Sequence, residues 1–213
     1  MSELWLSELT GAICDTVLMV CISAIVALFV GIPLALVLVT TTRGGIYERR
    51  AVNSTLGVPV NAFRSTPFII LLVALLPLTR LLVGTTIGVW AAIVPLSIAA
   101  IPFFARVVEV SLREVDRGLI EAVQAMGAQR RHISWHVLLP EALPGILSGF
   151  PITAVAMIGS SAMASAVGDL AIRYGYQRFD TAVMVTVIIL LIAIVTPVQF
   201  AGDRLVRHLL QRA

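Results

Sequence analysis

His132 and His136 stand at i, i+4 with Trp135 between them, and on a helix that spacing points two imidazoles the same way. Such a pair is half of a zinc site, which needs a third or fourth ligand. No nearby carboxylate is placed to complete it, so we read the pair as interfacial side chains and expect no metal site. Cys14 and Cys21 are i, i+7 in one apolar run. They read as structural packing, with neither a disulfide framework nor a metal site. Nucleotide chemistry is excluded on other grounds. A phosphate-binding P-loop needs a lysine that reaches the β- and γ-phosphates, and all 15 basic residues here are arginine. No glycine-rich loop of that spacing is present either. We therefore expect no catalytic residue and no cofactor-binding residue in this chain.

What remains is one polar stretch, LIEAVQAMGAQRRHISWHVLLPEALPGI, from Leu119 to Ile146. Ala122, Ala125 and Met126 share a helix face at i, i+3, i+4, with Leu119 adjoining and Glu121 beside them. That face is small, so another surface can approach it closely. Gly127 fits a helix C′ position or a turn between two helices. Beyond it, Ile133, Val137 and Leu138 would float a short helix on a membrane interface, with Arg130 and Arg131 near the headgroups. Pro140 and Pro144 would stop that piece and redirect the chain. The predicted geometry is helix–turn–helix, in a segment of about 114–140.

The elements that must hold this segment are apolar. Of the 213 residues 59% are hydrophobic and 13% charged, and the mean hydropathy is +1.00. A soluble domain of this size lacks the polar cover such a composition needs. Thr16–Thr42, Leu81–Ala105, Ala142–Gly168 and Thr181–Gly202 carry no ionisable acid or base. Each exceeds the roughly 20 residues that cross a ~30 Å hydrocarbon core. A further span reads as one helix from about Ser54 to Leu78, with Arg64 near its membrane boundary. The fold class is thus an all-α membrane protein of one domain, 1–213, with five spans at about 14–42, 54–79, 83–107, 142–167 and 181–203. The N-terminal stretch lacks the positive region of a secretory signal, and Trp5 suits an interfacial anchor.

With the N-terminus outside, twelve arginines fall on the inner side, and three, Arg80, Arg173 and Arg178, on the outer. The positive-inside bias gives N-out, C-in, and places the polar stretch in the cytoplasm. The same arginines are spread over loops rather than clustered on a soluble module, so no nucleic-acid partner is expected despite the net charge of +3. Arg106/Glu109, Glu109/Arg113 and Arg113/Asp116 read as a solvated helix face, each pair worth about 0.2–0.5 kcal/mol. No carboxylate lies near a span centre, which argues against proton coupling. Sodium sites built from carbonyls stay open. Small residues at Gly159–Gly168 suit close helix approach. Met163 lies among them and would plug a narrow pathway as a gate or fill a helix contact.

Glu121-Ala122-Val123, three residues, Gly127, nine residues, then Val137, one residue, Leu139-Pro140 resembles the signature of ABC importer permeases, E-A-A, three residues, G, nine residues, I-x-L-P. Val123 and Val137 are mild departures from it. FRSTPFIILL at Phe63–Leu72 resembles amino-acid importer permeases. SAMASAVG at Ser161–Gly168, RYGYQRFDTAVM at Arg173–Met184 and QFAGDRLVR at Gln199–Arg207 resemble methionine-uptake permeases. One departure is a shortened link: Gly168 runs directly into Asp169-Leu170, where those permeases carry a longer glycine-rich stretch.

The resemblance implies a type I ABC importer permease fold, in which a cytoplasmic coupling helix docks in a groove on a separate ATPase. It further implies two ATPase copies holding the ATP, a permease homodimer, an extracytoplasmic amino-acid-binding protein, and a bacterial inner membrane location. Glu121, Ala122, Ala125, Met126 and Gly127 are then the coupling residues. Tyr174, Tyr176 and Arg178, on the expected outer side, meet the binding protein or anchor the interface. The competing reading is a stand-alone ion-coupled transporter or channel for a small solute.

Overall fold

The computed structural model describes residues 2–164 and 181–210, and every element among them is helical. α1 (Ser2–Thr41) is followed by α2 (Arg50–Ser65), α3 (Phe68–Ala74), α4 (Leu76–Val83), α5 (Val89–Arg113) and α6 (Arg117–Ala125). Then come α7 (Arg130–His132), a π-helical turn (Ile133–Leu138), α8 (Leu139–Ser161) and α9 (Thr181–Leu210). Among the described residues four helical stretches are long and apolar enough to cross a membrane, and the bent pair α2–α3 brings the number to five if it is one span.

That bent pair corrects the single helix expected at 54–79. α2 and α3 meet at 110°. Proline clashes with a helical residue before it, so Thr66 is extended (φ −81°, ψ 128°) and Pro67 opens the next helix. Ser65 and Thr66 close the broken end by donating their hydroxyls to the carbonyls of Asn61 and Ala62 at 2.8 and 2.9 Å. Other limits shift as well. The third span begins at Val89 rather than 83, after Gly84 caps α4 in the left-handed region. The fourth is helical from Arg130 and ends at Ser161, not 167.

α5 is the centre of the bundle, packed against α1, α2, α3, α4 and α8. Phe104, Ala105 and Val108 are fully buried on it, and Phe104 meets Phe150 of α8 edge to face with ring centroids 6.0 Å apart. Lipid is as apolar as leucine, so close packing rather than water exclusion must join such helices. Gly145 and Gly149 of α8 provide it. They form a G-x-x-x-G face against Ser111 and Val107 of α5, where an added Cβ would collide with both. Ser23 of α1 adds a hydroxyl bond to the Ile93 carbonyl of α5 at 3.4 Å.

Past Thr41 the chain turns and two backbone donors, Tyr47 and Arg49, satisfy the last α1 carbonyls at Thr40 and Thr41. Asn53 of α2 reaches back to the Leu38 carbonyl at 2.6 Å. This corner fixes where α2 leaves α1, at the same end of the bundle as α6.

Candidate functional site

α6 is short, capped at both ends and almost uncovered. The Asp116 carboxylate accepts from the Gly118 N–H at 3.0 Å, the usual service of an N-cap residue. At the other end Gly127 has φ +81°, a conformation that a side chain disfavours. Its N–H donates to the Gln124 carbonyl at 2.9 Å, and the Ala128 N–H donates to Val123 at 3.3 Å. Those two bonds are a Schellman motif with glycine at C′, the first of the two readings that the sequence offered for Gly127.

No residue of α6 is buried. Glu121, Ala122, Ala125 and Met126 are all exposed, Met126 at 77%. The helix rests chiefly on the π-helical turn, and this turn departs from expectation. Ile133 is 0% exposed and Leu138 2%, so the segment is seated in the core instead of floating on an interface. Nor do Pro140 and Pro144 end it, because the helix continues through both to Ser161. The wider π turn directly before Pro140 makes room for a ring that would crowd the His136 carbonyl in a regular α-helix. α6 thus packs on the π turn, and the π turn runs directly into α8 and packs against it.

Between α6, the end of α1 and the π turn lies a cavity of about 660 Å³, lined by Glu121 together with Arg43, Arg113, Arg117 and Arg130. Beside it Glu109 of α5 is 4% exposed and not on a solvated face as expected. It accepts from Arg106 and Arg113, both at 2.6 Å. Asp116 is engaged as the cap of α6 instead of pairing with Arg113.

The remaining candidates are dispersed. His132 and His136 stack nearly parallel, 11° apart with centroids at 4.2 Å, face to face and not converging on a point. Cys14 and Cys21 are exposed, which corrects the expectation that they fill a helix contact. Met163 lies in a turn beyond the end of α8, 55% exposed, with its N–H donating to the Ser160 carbonyl. It is thus not inside the fourth helix as expected. Tyr174, Tyr176, Arg178 and the link after Gly168 fall outside the described residues. Two features escaped the sequence reading. The Gly145–Gly149 spacing was there to be found as a G-x-x-x-G pattern, whereas the burial of Glu109 depends on neighbouring helices and leaves no local mark.

The bundle has the fold of a type I ABC importer permease. Over 98% of this chain and 99% of the other it superposes on an inward-facing structure of the MetNI methionine ABC transporter, with TM-score 0.93 and 44% identity. The chain belongs to the family described as binding-protein-dependent transport system inner membrane component, whose sequence model matches residues 5–213. A relative from Vibrio cholerae, named probable D-methionine transport system permease protein MetI, is 49% identical over 91% of this chain and 88% of its own length. The methionine import system permease protein MetP of Bacillus subtilis is 44% identical over 76% of each.

Proposed function

We propose that this chain is the permease of a methionine importer, working as a homodimer in a bacterial inner membrane and driven by two copies of a separate ATPase. The observation that carries the coupling half of this reading is α6 itself, which is held out by two caps, exposed along the face of Glu121, Ala122, Ala125 and Met126, and seated on the turn that begins α8. Glu121, Ala122, Ala125 and Met126 form the docking surface, and Gly127 sets the angle at which it is presented. The substrate rests on the names of the relatives, which include both D-methionine and methionine systems.

The orientation is N-out, C-in, supported by twelve inner arginines against three outer ones. ATP-driven closure of the partner subunits pulls on α6, and the π turn passes the movement to α8. For this to drive transport the docked contacts must differ in energy between inward- and outward-open states. Met163, at the opposite end of α8 from that turn, is the proposed gate. Tyr174, Tyr176 and Arg178 are the proposed contacts of the external binding protein.

The test is reconstitution in vesicles with a cognate ATPase and binding protein. Methionine-stimulated hydrolysis and uptake are expected, and both should vanish when the ATPase is omitted. Uptake by the permease alone, driven by an ion gradient, would establish the stand-alone transporter instead. If Met163→Ala leaves the thiol accessibility of the closed pathway unchanged, Met163 is not the gate.

A further inference from the structure

A second cleft, of about 460 Å³, lies between α1, the corner before α2 and the π turn. Pro33, Leu36 and Val37 form its apolar wall, and Arg49, Arg131, Tyr47 and Trp135 line it as well. Along α1 the wall runs from Pro33 to Thr41, about 12 Å at the helical rise of ~1.5 Å per residue. The hydroxyls within it are turned inward. Thr40 donates to the Leu36 carbonyl and Thr41 to the Val37 carbonyl, each at 2.6 Å, and Ser134 donates to Arg130 at 3.1 Å. The wall is therefore apolar in effect, although three of its residues are not.

The polar rim is the reverse, because its cations lack partners. Among the described residues neither Arg49 nor Arg131 has an ion pair. The one carboxylate in the adjoining corner, Glu48, is already taken by Arg50 at 3.6 Å and by the Gly44 N–H at 3.2 Å. An occupant must then be apolar along one helix face and anionic at one end. It must also sit where an apolar span gives way to arginine, tyrosine and tryptophan, which is the composition of a membrane–water boundary.

We propose that this cleft is a binding site for one anionic phospholipid, with an acyl chain along Pro33–Val37 and its phosphate between Arg49 and Arg131. A planar guanidinium matches phosphate oxygens in bidentate fashion, and basic pockets between spanning helices on the cytoplasmic side are suited to such headgroups. The bound lipid would join the end of α1 to the turn on which α6 rests, so leaflet composition would bear on how firmly that turn is held. The site requires a membrane boundary at this end of the bundle and is independent of substrate and of the ATPase.

Native mass spectrometry of the full chain in mild detergent tests it, titrating phosphatidylglycerol against phosphatidylcholine with the same acyl chains. One phosphatidylglycerol should be retained in preference. Arg49→Gln and Arg131→Gln should each weaken it about fivefold, and the double variant on the order of 25-fold. Val37→Trp keeps both arginines and fills the wall, so it should also lose the lipid and decides the matter if the double variant does not fold. Arg204→Gln, a charge removed outside the cleft, should change nothing. Equal retention of the two lipids, or unchanged binding in the double arginine variant and in Val37→Trp, would overturn the site. Displacement of the lipid by inorganic phosphate would assign the arginines to a free anion and likewise overturn it.

Discussion

α5 and α9 are both apolar helices of membrane length, yet 61% of the apolar window of α5 is buried within the chain and only 11% of that of α9. α5 touches five other helices, while α9 packs chiefly on α8. On α9 Ile188, Ile189, Ile192 and Phe200 point outward. In water such a face would be a large penalty, but in lipid it is neutral. Apolar composition thus commits a helix to the membrane without saying whether it is scaffold or periphery. What separates the two is buried polar contacts and the number of close glycine approaches: among the described residues Gly31, Gly145 and Gly149 face α5, whereas on α9 Gly202 alone closes on Pro151 of α8.

The sharpest way to break that contrast is at Gly149. An added side chain meets Val107 of α5 directly, and overpacking of this kind costs about 1–3 kcal/mol or more. Gly149→Leu should lower the thermal midpoint in detergent by several degrees or prevent folding. Ile189→Ala on α9 should stay within about 0.5 kcal/mol. Equal shifts in the two variants would dissolve the distinction.

Glu109→Gln comes next. It keeps the shape and removes two charge-assisted bonds to arginines that are themselves 43% and 52% exposed. Because those arginines can return to water, we expect a loss of about 1–2 kcal/mol, measured by thermal or denaturant unfolding. A neutral result would mean that the carboxylate is solvated after all. Gly127→Val should cost about 1–2 kcal/mol locally, since φ +81° disfavours a side chain. The bundle should nevertheless melt nearly as before, because only Ile120 of α6 packs, partly buried, against the core, and faster amide exchange in α6 alone is the expected readout. Smallest is Ser97→Ala. Its hydroxyl is buried without a partner among the described residues, so the change should be neutral or slightly stabilising, within about 0.5 kcal/mol.

Much of this arrangement is legible in the residues themselves. Charge-free runs locate the long helices, and Gly127 declares a helix end that the φ angle bears out. Local rules also suffice for the break at Thr66-Pro67, because the restriction on the residue before proline outweighs the continuity of the apolar run. The π turn is different. It buries Ile133 and Leu138 through packing against α6, α7 and α8, and two prolines that ordinarily end a helix are accommodated by its wider backbone. Glu109 is different for a related reason. Its i+3 and i+4 arginines look the same on a solvated helix and a buried one, and only the surrounding helices decide between them.

The proposed function requires another protein to grip α6 by its small exposed face. The direct measurement is the stoichiometry of ATPase that co-purifies with the tagged chain when Ala122 and Ala125 are both replaced by tryptophan. Neither alanine is buried, so membrane insertion and thermal midpoint should match the parent. The expected result is a stable bundle that has lost its ATPase. A full complement of ATPase on the double tryptophan variant would contradict the claim.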